Sequence, residues 1–179
     1  MSVPSVSVPS LVERAFYRLA FRAETDPIAR RIVIGLVNTF FKAVVAERKR
    51  GGHRLLDFAR VGAVRFGKWR APVLRDLLKL DTESLADMGR LQDWEDRVFG
   101  VTGHWTEREK TRATKCETRC PFAEAAKGEP ALCSDVIHAL ETATFRALNP
   151  RYRLVPLERL LSKGDAHCEF RHVLDAGEP

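Results

Sequence analysis

The stretch "VTGHWTEREKTRATKCET", residues 101–118, decides the fold, because the period of the chain changes here. Up to Gly100 the apolar residues recur every three to four positions. In "VTGHWTE" and "TRATKCET" polar and apolar residues alternate instead, which is the signature of strands, and the charged residues Arg108 to Lys110 between them supply a turn. A β-hairpin is the reading that satisfies both segments.

Upstream, the spacing predicts helices. Leu11, Ala15, Phe16, Leu19 and Ala20 share one helical face, and a second helix opens at "TDPIARR" with Asp26 as N-cap and Pro27 in the first turn. That helix runs to about Lys49 and ends at Gly51-Gly52; another starts near Leu55. Pro72 is expected to open a further turn, and Asp81 or Thr82 to cap a helix whose apolar stripe is Leu85, Met88, Leu91 and Trp94. Downstream of the hairpin, "PFAEAAKG" can form a short helix, and Glu129-Pro130 starts a longer one that Asn149-Pro150 stops. "RYRLVPLERLL" and "AHCEFRHVL" then supply two more extended segments around Lys163-Gly164-Asp165. Pro156 cannot donate a ladder hydrogen bond, so its strand belongs at a sheet edge or a bulge.

The expected fold class is α+β: a helical N-terminal half packed on a C-terminal antiparallel sheet of about three to five strands with one long helix. Residues 1–10, rich in Ser and Pro, read as a disordered arm, 11–100 as the helical region and 101–175 as the α+β region, the last two forming one integrated unit.

Composition narrows the functional classes. With 179 residues, 45% apolar and 30% charged, the chain can bury one good core. The longest apolar candidate, Ile32 to Ala46, is interrupted by Asn38, Thr39 and Lys42, so no membrane span is expected. "MSVPSVSVPS" has neither the basic nor the apolar region of a secretory signal, which makes the cytoplasm the default compartment. Residues 1–75 carry a net charge of +10 and residues 76–179 a net −4. The basic half invites a nucleic-acid reading, but its arginines lie along amphipathic helices without interleaved aromatics or a recognised DNA-binding motif. A solvated face, or an interface with an acidic partner surface or a second copy of the chain, suits it better.

The four cysteines carry the chemistry. In the last strand Ala166, Cys168, Phe170, His172 and Leu174 share one face, so Cys168 points to the core or to a pocket floor. Cys116 ends the second hairpin strand, Cys120 precedes Pro121, and Cys133 lies in the first turn of the long helix, where unsatisfied N–H groups would favour a thiolate. All four can converge at one end of the sheet. Three readings stand: small hydrophobes in the core, a soft-metal site such as zinc with Cys116, Cys120, Cys133 and Cys168 or His167 as ligands, or a thiolate nucleophile.

The ordered set Cys120-Pro121, Cys133-x-Asp135, Asn149-Pro150 and Gly164-Asp165-x-x-Cys168-x-Phe170 resembles the C-terminal portion of the L-2-amino-thiazoline-4-carboxylic acid hydrolase-like family, over roughly residues 100–174. Cys116 lies outside that pattern. The resemblance implies hydrolytic opening of an amidine-bearing sulfur and nitrogen ring to a carbamoyl-cysteine product; no cofactor is expected, with zinc or another soft metal left open. On that basis Cys133 and Cys168, followed by Cys120, are candidate nucleophiles. Asp135 is a candidate proton carrier, Asp165 a candidate for proton transfer or substrate binding beside Gly164, and Arg119 or Arg171 a candidate clamp for the substrate carboxylate. His138, one helical turn after Asp135, reads as a solvent-facing residue. Similar cysteine-bearing α+β domains, the vinyl-reductase-like ligand-binding modules among them, bind small molecules or metal without turning them over. A non-catalytic sensory module is therefore the alternative.

Overall fold

The computed structural model describes residues 11–156 and 158–176. The expected N-terminal arm, residues 1–10, lies outside them. Four helices come first: α1 (Leu11–Ala23), α2 (Pro27–Lys49), α3 (Arg54–Leu78) and α4 (Leu85–Phe99). Asp26 caps α2 as the sequence requires, its carboxylate accepting from the Ile28 and Ala29 amides at 2.9 and 3.2 Å.

Two boundaries differ from expectation. Pro72 does not open a turn; it sits inside α3, which continues through it. A proline there forfeits one backbone bond, and burial of Ala71 and Leu74 on either side holds the helix together. The N-cap of α4 is Ser84, not Asp81 or Thr82, and Asp81 instead accepts from the Glu83 amide in the preceding turn. Gly100, at φ +71°, ends α4 in the left-handed conformation that a glycine adopts without strain.

The hairpin follows as β1 (Thr102–Arg108) and β2 (Arg112–Arg119). A short helix α5 (Ala123–Ala126) and a π-turn (Leu132–Ile137) lead into α6 (His138–Leu148), and β3 (Tyr152–Leu154), a 3-10 turn (Leu161–Lys163) and β4 (Cys168–Leu174) complete the chain. The sheet is antiparallel throughout, in the order β1-β2-β4-β3. The three-residue β3 is an edge strand, with Pro156 two residues beyond its end. The fold is α+β, as the change of period indicates.

One face of the sheet is covered by α4 and α6. Lys115 on β2 reaches Asp93 and Asp96 of α4 at 3.0 and 2.7 Å, while Phe145 of α6 stacks on Tyr152 with centroids 4.8 Å apart. Val33, Leu74, Leu91, Phe145 and Phe170 belong to one buried cluster that joins helices to sheet. Phe41, Val44, Leu56, Ala59, Leu132 and Val136 form a second cluster between α2, α3 and the π-turn. Cys133 and Ile137 pack against both. The helices α3 and α6 cross closely at Gly67, where a Cβ would stand 2.7 Å from the Leu140 carbonyl oxygen.

Candidate functional site

A cavity of about 210 Å³ lies where the two clusters meet. Its helical walls are Phe16 of α1, Val37 and Phe41 of α2, Phe66 of α3, Phe99 of α4, Ile137 of the π-turn and Leu140 of α6. Phe122, Leu160 and Phe170 close the sheet side, and Cys120, Cys133 and Cys168 all line the same space. Residues up to 48 positions apart thus present three thiols to one apolar chamber.

Burial sets the chemistry of those thiols. It pushes both Cys120 and Cys168 up to about 12, and it raises Cys133 as well. Burial outweighs the Phe122 amide that favours the Cys120 thiolate and the Leu161 amide, 3.3 Å from Cys168 Sγ, that favours the Cys168 thiolate; Glu117, once ionised, adds a smaller push in the same direction as burial at all three. The expectation that a helix N-terminus would lower Cys133 is overturned. That residue lies inside the π-turn, largely enclosed by apolar side chains, and desolvation dominates. At neutral pH these are protonated thiols.

One wall of the cavity is polar. Gln92, Glu95 and Asp96 of α4, Glu117 of β2 and Glu141 of α6 all border it. Burial, followed by the charge of Asp96, raises Glu117 to about 8, so its carboxyl is largely neutral at pH 7. Burial and the charge of Glu95 likewise push Glu141 well above the usual carboxylate range. Arg70 of α3 binds this group: it pairs with Glu95, donates to Thr144 Oγ1 at 2.8 Å and approaches Glu141 Oε1 at 3.4 Å. Gln92 Oε1 and Glu141 Oε2 are buried without a hydrogen-bond partner among the described residues. Sequence reasoning passed over this wall. The signal was present in strand parity, since Ala113, Lys115 and Glu117 share the inward face of β2, and in helical phase, since Gln92 and Glu95 flank Leu91.

The other predicted site residues fall elsewhere. Cys116 is buried, but on the opposite side of the sheet from Cys168, because it pairs with Glu169 while Cys168 pairs with Glu117. A four-cysteine metal site is therefore not formed: one step of strand parity separates Cys116 from the rest. Asp135 pairs with Arg60 and accepts from Ser134 Oγ, and it does not line the cavity. Arg119 and Arg171 are exposed, the latter engaged with Glu169. Asp165 accepts from the Leu160 amide at 2.8 Å and Gly164 takes φ +96°, so both shape the turn before β4. His138 is half-buried rather than solvent-facing, its Nε2 3.3 Å from the Leu154 carbonyl oxygen.

Against known proteins, the arrangement of helices and sheet has a counterpart. The fold matches that of a trafficking protein particle complex subunit. The solved structure is subunit 3 from Naegleria fowleri, described as covalently bound to palmitic acid; the TM-score is 0.60 at 13% identity, over 82% of this chain and 97% of that one. At such identity the likeness to subunit 3 concerns the fold alone. No family model and no curated protein matches the sequence.

Proposed function

We propose that this chain is a ligand-binding module whose cavity takes a long apolar molecule of the acyl-chain class, with a hydrogen-bonding head directed at Gln92 and Glu141. The observation that carries this reading is the cavity itself. About 210 Å³ lined mostly by aromatic and aliphatic side chains, with Gln92 and Glu141 on one wall, is the shape and polarity that an apolar chain with a hydrogen-bonding head would fill. The fold neighbour described as binding palmitic acid supports the same class of ligand.

Ring opening by a thiolate draws less support. Its nucleophile would have to form from thiols that burial holds protonated, and Asp135, its proton carrier, faces Arg60 instead of the cavity. A binding role needs neither. Among the described residues no helix is long and apolar enough to cross a membrane. For a protein partner, the exposed Ile28, Ile32 and Leu36 at helical spacing on α2, set among Arg30 and Arg31, support association through the basic half.

The test is displacement of a fluorescent polyunsaturated fatty acid by palmitate, with mass spectrometry of organic extracts from the purified protein. Ile137→Trp, which fills the chamber, should reduce binding at least ~10-fold without loss of folding. Turnover of 2-amino-thiazoline-4-carboxylate that disappears in Cys133→Ser or Cys168→Ser, with no uptake of fatty acid, would replace the binding reading with the hydrolase one.

A further inference from the structure

The outer face of the sheet, away from the cavity, brings together residues that the cavity does not use. Cys116 Sγ, a His167 ring nitrogen and a Glu169 carboxylate oxygen all lie within 4.8 Å of one another. Strand pairing explains the convergence. Cys116 on β2 sits directly opposite Glu169 on β4, and His167, the residue just before β4, brings its ring to the same pair. On the other flank of Cys116, its direct partner on β1 is His104, which is exposed. The register is regular from Gly103 to Trp105, so His104 shares the outward face with Cys116.

We propose that this row of residues is a site for a divalent cation of borderline softness, Zn²⁺, with Cys116, His167 and Glu169 as ligands and His104 completing a tetrahedral set. The donor types fit that ion. Zn²⁺ takes thiolate, imidazole and carboxylate together, at about 2.0–2.3 Å, which places neighbouring ligand atoms roughly 3.3–3.8 Å apart. His167 Nε2 and Glu169 Oε2 are already 3.7 Å apart. The charges balance: one thiolate and one carboxylate neutralise the ion, and the Cys116 thiol gives its proton to solvent as the sulfur–zinc bond forms.

The surrounding cations divide into a support and an obstacle. Arg171 holds Glu169 Oε1 through Nε and Nη2, both at 2.5 Å, which fixes the carboxylate and leaves Oε2 turned toward His167. Arg159 Nη1 stands 3.8 Å from Oε2 and 3.4 Å from His167 Nε2, in the space an ion would occupy. Its side chain is 59% exposed and can leave toward solvent. Arg159→Ala should therefore tighten the site.

The experiment is titration of the reduced, tag-free full chain with Co²⁺, followed by competition with Zn²⁺. The expected result is a near-ultraviolet thiolate-to-cobalt charge-transfer band with intense tetrahedral d–d absorption, at one equivalent. The band should vanish in Cys116→Ser and persist in Cys120→Ser and Cys168→Ser. His167→Ala and Glu169→Gln, half-buried positions that do not threaten folding, should each weaken binding at least ~10-fold. Absence of the charge-transfer band at excess Co²⁺, its persistence in Cys116→Ser, or its loss in the cavity variants instead would overturn the proposal. Should Cys116→Ser fail to fold, wild-type affinity in both His167→Ala and Glu169→Gln has the same force.

Discussion

At the scale of single residues, environment rather than identity decides what the cysteines can do. A free thiol near its ordinary value is a few per cent thiolate at neutral pH; one held at about 12 has roughly 10³-fold less. Cys120 and Cys168 should therefore alkylate at least ~10²-fold more slowly in the folded chain at pH 7.5 than in the denatured chain, and Cys133 should be slowed as well, as read by mass spectrometry of peptides after timed labelling. A cavity thiol that reacts at the denatured rate would show that the helix terminus wins over desolvation. Strand position, in turn, separates Cys116 from the others, a distinction that the spacing Cys116-x-x-x-Cys120 conceals because Cys116 lies within β2 and Cys120 in the loop beyond it.

At the scale of elements, the contact between α3 and α6 is set by one glycine and one arginine. A Cβ at Gly67 would meet the Leu140 oxygen at 2.7 Å and the Thr144 amide nitrogen at 2.9 Å, both backbone atoms that cannot step aside without moving α6. Gly67→Ala should lower stability by about 2 kcal/mol or more despite alanine's better helix propensity. Arg70→Ala, which leaves the buried Glu95 and Glu141 without their cation, should cost about 3–5 kcal/mol. Denaturant melts of both variants measure these losses, and a Gly67→Ala protein at least as stable as wild type would contradict the close crossing. Such elements were partly legible beforehand. The stripe Leu85, Met88, Leu91 and Trp94 is buried as the helical period requires, and the hairpin stands where the period changes. Pro72 inside α3 and the polar wall were not legible, because tertiary packing overrides a local breaker, and because a charged residue on an inward face looks identical in sequence to one facing water.

For the whole molecule, the same buried groups shape the dependence of stability on pH. Glu117 has a folded-state value of about 8 against an ordinary 4.5, so the native state keeps a proton that the unfolded chain releases. Its contribution is therefore fully present below pH 4.5 and is lost as pH rises through about 8. His172 acts in the opposite sense. Burial against Tyr152 and the charge of Lys115 lower it from 6.5 to about 3, so the unfolded chain takes up a proton that the native state refuses. Stability from His172 is complete above pH 6.5 and is lost as pH falls toward 3. Between 4.5 and 6.5 the slopes of these two groups oppose each other, so their joint contribution is greatest in this mildly acidic interval. Replacing Glu117 by Gln keeps the shape and the contact with Gln92 but removes the titration. Urea melts should then show Glu117→Gln close to wild type at pH 5 and more stable than wild type at pH 8.5, with the alkaline limb flattened. An alkaline limb of unchanged steepness in Glu117→Gln would mean that the Glu117 proton is not held by the fold.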